Sequence, residues 1–250
     1  MNNNNYKMWH ISVPNFFRRY EDKKYKIERT SLQLFNKKIK KITPEICSLI
    51  NLTVLKLHFN KIIEIPNIIM HLQNLEKLDL SYNFIEIIPD TLCELKKLRS
   101  LTISNNKIEI IPNSIGNLIQ LENLYLGSNK IRIIPSYIGN LTKLKIFSVS
   151  NNLIKEIPDE IKYLSNLHTL YLYKNKINVI PNCIQYLTNL VVLKLDHNDI
   201  LEIPDFIGNI QKLRTLDIDL IFASHIPESV YRLLNRSNKR LYERKLQNTI

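Results

Sequence analysis

Small residues are nearly missing from this chain: its 250 positions hold four glycines, and Ala223 is its one alanine. So few glycines leave no Gly-rich loop to cradle a phosphate, which removes nucleotide-dependent chemistry of the usual kinds from consideration. Ile, Asn and Lys fill the space instead, a bias that fits an AT-rich genome, so part of the lysine count reflects codon supply. Long apolar runs are also absent. No stretch approaches the roughly 20 uninterrupted apolar residues of a membrane span, and Met1-Asn2-Asn3-Asn4-Asn5 lacks the apolar centre of a secretory signal. A cytoplasmic protein with no transmembrane segment is expected. Cysteine is scarce as well. Cys47, Cys93 and Cys183 are odd in number and far apart, without the paired spacing of a disulfide framework or a zinc site, and read as idle thiols.

Negative charge is short at both ends. Residues 1–41 hold eleven Lys and Arg against three acidic residues, a net +8, and residues 232–250 hold six against Glu243, a net +5. With +12 overall, residues 42–231 carry −1, so the middle is electrically neutral and offers no long track for a polyanion.

What the chain has in abundance is order at one period. Asn60, Asn83, Asn106, Asn129, Asn152, Asn175 and Asn198 stand 23 residues apart each time. The frame around each reads like Leu75-x-x-Leu78-x-Leu80-x-x-Asn83-x-Ile85-x-x-Ile88-Pro89-x-x-Leu92-x-x-Leu95. Prolines keep the phase from Pro66 through Pro227, which adds an eighth copy with Ile221 at the Asn position. A degenerate copy precedes the first, with Leu32, Leu34, Ile39, Ile42, Ile46 and Leu49 in frame, Lys37 at the Asn place and Pro44 one residue late. Irregular terminal copies are what capping repeats look like.

This pattern resembles the leucine-rich repeat family over about residues 29–234. Its Ile-x-x-Ile-Pro-x-x-Ile-x-x-Leu half is similar to the intracellular 23-residue class typified by Ras-binding scaffold proteins. The resemblance implies a curved solenoid and a scaffold that binds other proteins.

The residues support the same fold on physical grounds. Leu78 and Leu80 alternate with Lys77, Asp79 and Ser81, the period of a strand with one buried face. So short a strand is stable only if it pairs in parallel with the next copy, which buries Leu and Ile coil upon coil. The return half carries Pro and widely spaced apolar residues, which predicts an extended or single-turn helical segment. Thicker return segments outside a tight sheet bend the stack and leave the sheet on the concave face, so the fold class is an α/β leucine-rich repeat solenoid. The side-chain amide of each ladder Asn is predicted to bond backbone groups that the turn leaves unpaired, a structural duty.

Three regions follow: an N-terminal cap segment at 1–28, with Trp9, Ile11, Val13, Phe16, Phe17 and Tyr20; the repeat domain at 29–234; and a basic tail at 235–250. Ser229 to Leu246 has helical spacing and predicts one or two terminal helices.

No catalytic constellation appears, and an enzyme is not expected. Asp196, His197, Asp199, Asp217, Asp219 and His225 gather on late repeats, with Asp196 and Asp219 one period apart, but exposed strand and loop positions tolerate such residues. No metal and no cofactor are predicted. Candidate binding residues come from phase, since outward positions of successive strands line up about 4.8 Å apart. One column runs Lys56, Asp79, Thr102, Tyr125, Ser148, Tyr171, Lys194, Asp217, and two residues on another runs His58, Ser81, Ser104, Gly127, Ser150, Tyr173, Asp196. Tyr125, Tyr171 and Tyr173 therefore meet around small residues, with Ser148 between them and Lys174 and Lys194 at the edge. A protein partner docked on that concave trough by a monomer is the primary expectation. The alternative is a nucleic-acid- or membrane-surface-associated protein using its basic ends, without specific nucleic-acid recognition.

Overall fold

The computed structural model describes residues 30–219 and 226–234, together with Lys239 and Glu243. Nine strands of three residues each form one parallel sheet in chain order. They are β1 Ser31–Gln33, β2 Val54–Lys56, β3 Lys77–Asp79, β4 Ser100–Thr102, β5 Asn123–Tyr125, β6 Ile146–Ser148, β7 Thr169–Tyr171, β8 Val192–Lys194 and β9 Thr215–Asp217. Register advances by 23 residues at every step, as in Leu78↔Leu101 and Leu101↔Leu124, so equal phase means neighbours across the sheet. The sheet lines the concave face of an open solenoid.

The middle residue of each strand points inward. Leu55, Leu101, Leu124, Leu170, Leu193 and Leu216 have no exposed surface, and Phe147 takes the same place in β6 as the bulkiest fully buried side chain. With the Ile and Leu of the return halves they make one continuous core from Leu32 to Leu234. Each such side chain removed from water contributes about 1.5–3 kcal/mol, and in a solenoid only adjacent coils supply the cover.

Every return half turns the same way. A 3₁₀ turn follows each in-phase proline, from Asn67–His71 through Glu228–Leu233. Each proline is the extended residue that opens its turn, Pro112 at φ −66° and ψ 150° for example, since its ring fixes φ and denies it a backbone donor. Pro44, one residue late, lies inside its segment instead and starts a short α-helical turn, Pro44–Cys47. The single-turn helical prediction for the return half is correct.

Glycine marks where these turns crowd. A Cβ on Gly116 would come within 2.7 Å of the Tyr137 carbonyl oxygen, and one on Gly139 within 2.8 Å of that of Glu160. Outside the strands, Glu122 links three coils by accepting from Arg99 at 3.1 Å and Lys145 at 2.8 Å. The Lys145 hydrogen bond, first among the causes, holds that carboxyl below the usual range.

The N-terminal cap segment at 1–28 lies outside the described residues, as does the basic tail at 235–250 apart from two positions. Of the predicted terminal helix, Glu228–Leu233 is a 3₁₀ turn with Val230 and Leu233 buried. Lys239 and Glu243 are helical and return to Tyr231, whose hydroxyl donates to Glu243 at 2.7 Å while the Lys239 ammonium sits 5.1 Å from its ring centre. Among the described residues no helix is long and apolar enough to cross a membrane.

Candidate functional site

The turn after each strand decides what the concave face presents. All seven ladder asparagines bond backbone, as expected, but they reach further than one coil. Asn129 accepts from the Ile108 N–H at 3.0 Å through Oδ1, and its Nδ2 donates to the carbonyls of Leu126 in its own coil and Ile103 in the preceding one, both at 3.0 Å. Asn83, Asn152 and Asn198 repeat the arrangement. Asn60, at the first boundary, accepts two N–H groups, from Lys37 and Ile39. The ladder therefore ties successive coils together and leaves no amide free for a ligand.

The residue just before each ladder Asn is left-handed, with φ of 55° at Phe59, Asn105, Asn151 and Lys174 alike. This costs an ordinary residue roughly 1–2 kcal/mol, and no glycine relieves it. Periodicity gave no hint of it, because the position follows no residue preference in this chain.

The strands bring the predicted columns together. Tyr125, Ser148, Tyr171, Lys194 and Asp217 are successive partners across β5 to β9. Tyr125, Tyr171 and Tyr173 are half-buried and Lys174 is exposed on its left-handed turn. Burial, and to a smaller degree the neighbouring Tyr171, push the Tyr125 hydroxyl above its ordinary pKa. Ser148 and Ser150 are buried, at 9% and 2% exposure, so they floor the trough and offer a partner almost no surface.

A hollow on the concave face lies toward the C-terminal side of the expected trough. It measures about 460 Å³ and is lined by Tyr171, Tyr173, Lys194, Asp196, Asp217, Ile218 and Asp219. Tyr125, Ser148 and Lys174 stand outside this lining. Lys194 spans the floor, 2.8 Å from the Asp217 carboxylate and 6.0 Å from the Tyr171 ring centre. The Asp217 hydrogen bond keeps its ammonium charged to higher pH than usual, against a smaller opposing effect of burial. Asp196 contacts the His197 ring at 2.9 Å, and Asp219 accepts the His197 backbone N–H. Three carboxylates against one ammonium leave the hollow with a formal −2. Among the described residues no three His, Cys, Asp or Glu side chains are arranged to hold a metal ion.

A second aromatic set escaped the sequence reading. Phe35 stacks on His58 at 5.2 Å, and Phe59 stacks on Tyr82 at 4.1 Å. The signal was available, since Phe35 and His58 share one phase of the frame and Phe59 and Tyr82 another.

A family model described as a leucine-rich repeat region matches residues 31–134 and again 128–235. The chain is a leucine-rich repeat protein. Solved structures of this fold include an internalin of Listeria monocytogenes, 27% identical with a TM-score of 0.70, covering 80% of this chain and 60% of the internalin. A leucine-rich repeat protein of Leptospira interrogans is 25% identical with a TM-score of 0.63, covering 86% and 70%. The plant peptide hormone receptor RGFR1 in complex with RGF2 is 34% identical with a TM-score of 0.67, covering 71% of this chain and 30% of the receptor. This chain therefore spans only part of the internalin and of the receptor. No curated protein matches it. Leucine-rich repeat proteins commonly serve protein–protein interaction, and the three buried free thiols at Cys47, Cys93 and Cys183 add no reactive group.

Proposed function

We propose that this leucine-rich repeat protein is a non-catalytic cytoplasmic scaffold that holds a protein partner on its concave face, with the hollow beside Tyr171 and Tyr173 receiving a Lys or Arg of that partner. The observation that carries the reading is the lining: two aromatic rings with three carboxylates against one ammonium. Ring faces attract cations, and carboxylates complete their hydrogen bonds, so the pair recognises a basic side chain better than either alone. Tyr at a half-buried position is also what interface anchors are made of. That the plant receptor is solved in complex with RGF2 agrees with ligand binding by this fold. Free, buried cysteines fit a reducing compartment.

The test starts from a pull-down with mass spectrometry in native cells, followed by affinity measurement on the captured protein. Asp196→Asn with Asp219→Asn should weaken binding at least tenfold, and a basic-to-neutral change in the partner should weaken it equally. A partner bound at full strength by this variant refutes the cation hollow.

One observation favours a second reading, the +8 and +5 charges concentrated at the two ends of a neutral middle. Under it, the ends adhere to nucleic acid or anionic membrane. Binding lost with Asp196→Asn and Asp219→Asn but kept on truncating residues 236–250 supports the concave scaffold, and binding kept in that variant but lost on the truncation and as salt rises supports the basic ends.

A further inference from the structure

The turn edge of the solenoid is basic and aromatic toward its N-terminal end. In the first five coils the turn positions 35–38, 58–61, 81–84, 104–107 and 127–130 hold five rings, Phe35, His58, Phe59, Tyr82 and Phe84, and five lysines, Lys37, Lys38, Lys61, Lys107 and Lys130. They hold no Asp or Glu, whereas the turn at 196–199 carries Asp196 and Asp199. The acids nearest these turns, Glu64, Glu86 and Glu109, stand further on, in the return halves, and Asp79 lies in the sheet 3.3 Å from His58 Nδ1.

The coils hold these side chains in adjoining rows. Lys61, Phe84, Lys107 and Lys130 each donate a backbone N–H to the preceding coil at 2.8 Å, so the row that begins at Lys38 keeps the spacing of the coils, about 4.8 Å. Beside it Phe35 lies parallel to His58 within 8° and Phe59 to Tyr82 within 14°, while the Lys107 ammonium sits 5.5 Å from the Phe84 ring centre. Phe35 and Phe59 are 51% exposed, Tyr82 47% and Phe84 45%. Lys37, Lys38 and Lys61 are exposed and make no ion pair among the described residues, and Lys107 and Lys130 meet Glu86 and Glu109 only at 3.7 Å.

Stability does not account for the rings. Phe59 and Tyr82 are left-handed, with φ of 55° and 54°, at the place that Asn36, Asn105 and Asn151 fill in other coils. Asn adopts that conformation readily and a bulky side chain does not, so these two rings are held in water at a conformational cost. Parallel rings beside a row of ammonium groups fit one class of ligand, in which flat bases stack on the rings while phosphates run along the lysines. An apolar or proline-rich peptide would use the rings and leave the lysines idle. An anionic membrane would use the lysines and leave the ring faces idle. We propose that this edge binds single-stranded nucleic acid, at a site separate from the hollow beside Tyr171 and from the segments 1–28 and 235–250. Phosphates and base faces are alike in every sequence, so the binding is sequence-tolerant.

Fluorescence anisotropy of the full chain with labelled single strands of about 12 nucleotides decides the matter, RNA and DNA in separate arms to show which sugar is preferred. An abasic strand of the same length offers the lysines the same phosphates but the rings no bases, so it should bind at least about tenfold more weakly. Phe59→Asn with Tyr82→Asn should weaken binding of the base-bearing strand at least about tenfold and leave the abasic strand unaffected. Since Asn suits both turns, circular dichroism should show that variant melting no lower than the wild type. Lys61→Gln with Lys107→Gln should reduce the slope of log affinity against log salt by about 1.4, two phosphates at about 0.7 each. Full-strength binding by the folded Phe59 and Tyr82 variant overturns the proposal. So does an abasic strand held as tightly as a base-bearing one, which leaves charge alone at work, and so does a wild-type protein that binds neither strand at low salt.

Discussion

Replacing Asn129 by Leu tests the ladder at the centre of the array. The Ile108 N–H has Asn129 Oδ1 as its partner at 3.0 Å and would be stranded among buried groups. The two carbonyls fare better. Ile103 O also receives Asn106 Nδ2 at 3.2 Å, and Leu126 O also receives Asn152 Nδ2 at 3.1 Å, so each keeps one bond after Asn129 is lost. An orphaned N–H costs about 1–3 kcal/mol and each lost carbonyl bond about 0.5–1.5 kcal/mol, partly offset by the apolar gain of leucine. We expect about 2–4 kcal/mol in all. Urea unfolding followed by circular dichroism should show a lower midpoint. A central defect in a chain of nearest-neighbour contacts should also broaden the transition. Partner affinity, measured on folded protein, should not change. An Asn129→Leu protein with wild-type unfolding would show that the ladder bonds are dispensable and refute the stability reasoning.

Tyr171→Ala combined with Tyr173→Ala should weaken partner binding by at least about 2 kcal/mol by titration calorimetry while the protein stays folded, whereas Lys155→Ala on the return side should leave it unchanged. Gly116→Ala should lower stability by about 1–3 kcal/mol in thermal unfolding, because its Cβ meets the backbone oxygen of Tyr137 rather than a side chain that can swing aside. Burial, first among the causes, pushes the Cys47, Cys93 and Cys183 thiols up to about 11. A raised thiol pKa means less thiolate at any working pH, so at pH 8 about one thiol in a thousand is ionised, against roughly a quarter for an ordinary cysteine. Ellman's reagent should therefore react slowly with native protein and at once after denaturation. Truncating residues 236–250 removes five basic residues and one acid, so adhesion to anionic vesicles, measured by co-sedimentation at low salt, should fall.

Much of the fold was legible in the sequence. A 23-residue phase is a statement about neighbours: once Leu78 and Leu101 are read as the same position, their pairing across the sheet follows, and so do the column from Tyr125 to Asp217 and the backbone duty of the asparagines. The proline phase foretold short return turns because proline constrains the residue it occupies wherever it stands. Less of the site was legible. Phase brought Tyr171, Tyr173 and Lys194 together, but it could not tell that Ser148 would be closed over while the hollow formed one or two coils further on, against aspartates read as polar residues tolerated at exposed positions.

The sequence by itself determined the period, the register and the inward face of every strand, because these depend on spacing along a chain that repeats. The tertiary structure alone decided which outward positions stay open. Ser148 and Ser150 stand in outward phases and are 9% and 2% exposed, while Tyr171 and Tyr173, in the same two phases one coil on, are half-buried and line the hollow. How open an outward side chain is depends on what the adjoining coils place over it, and that is not written in the local sequence of any one coil.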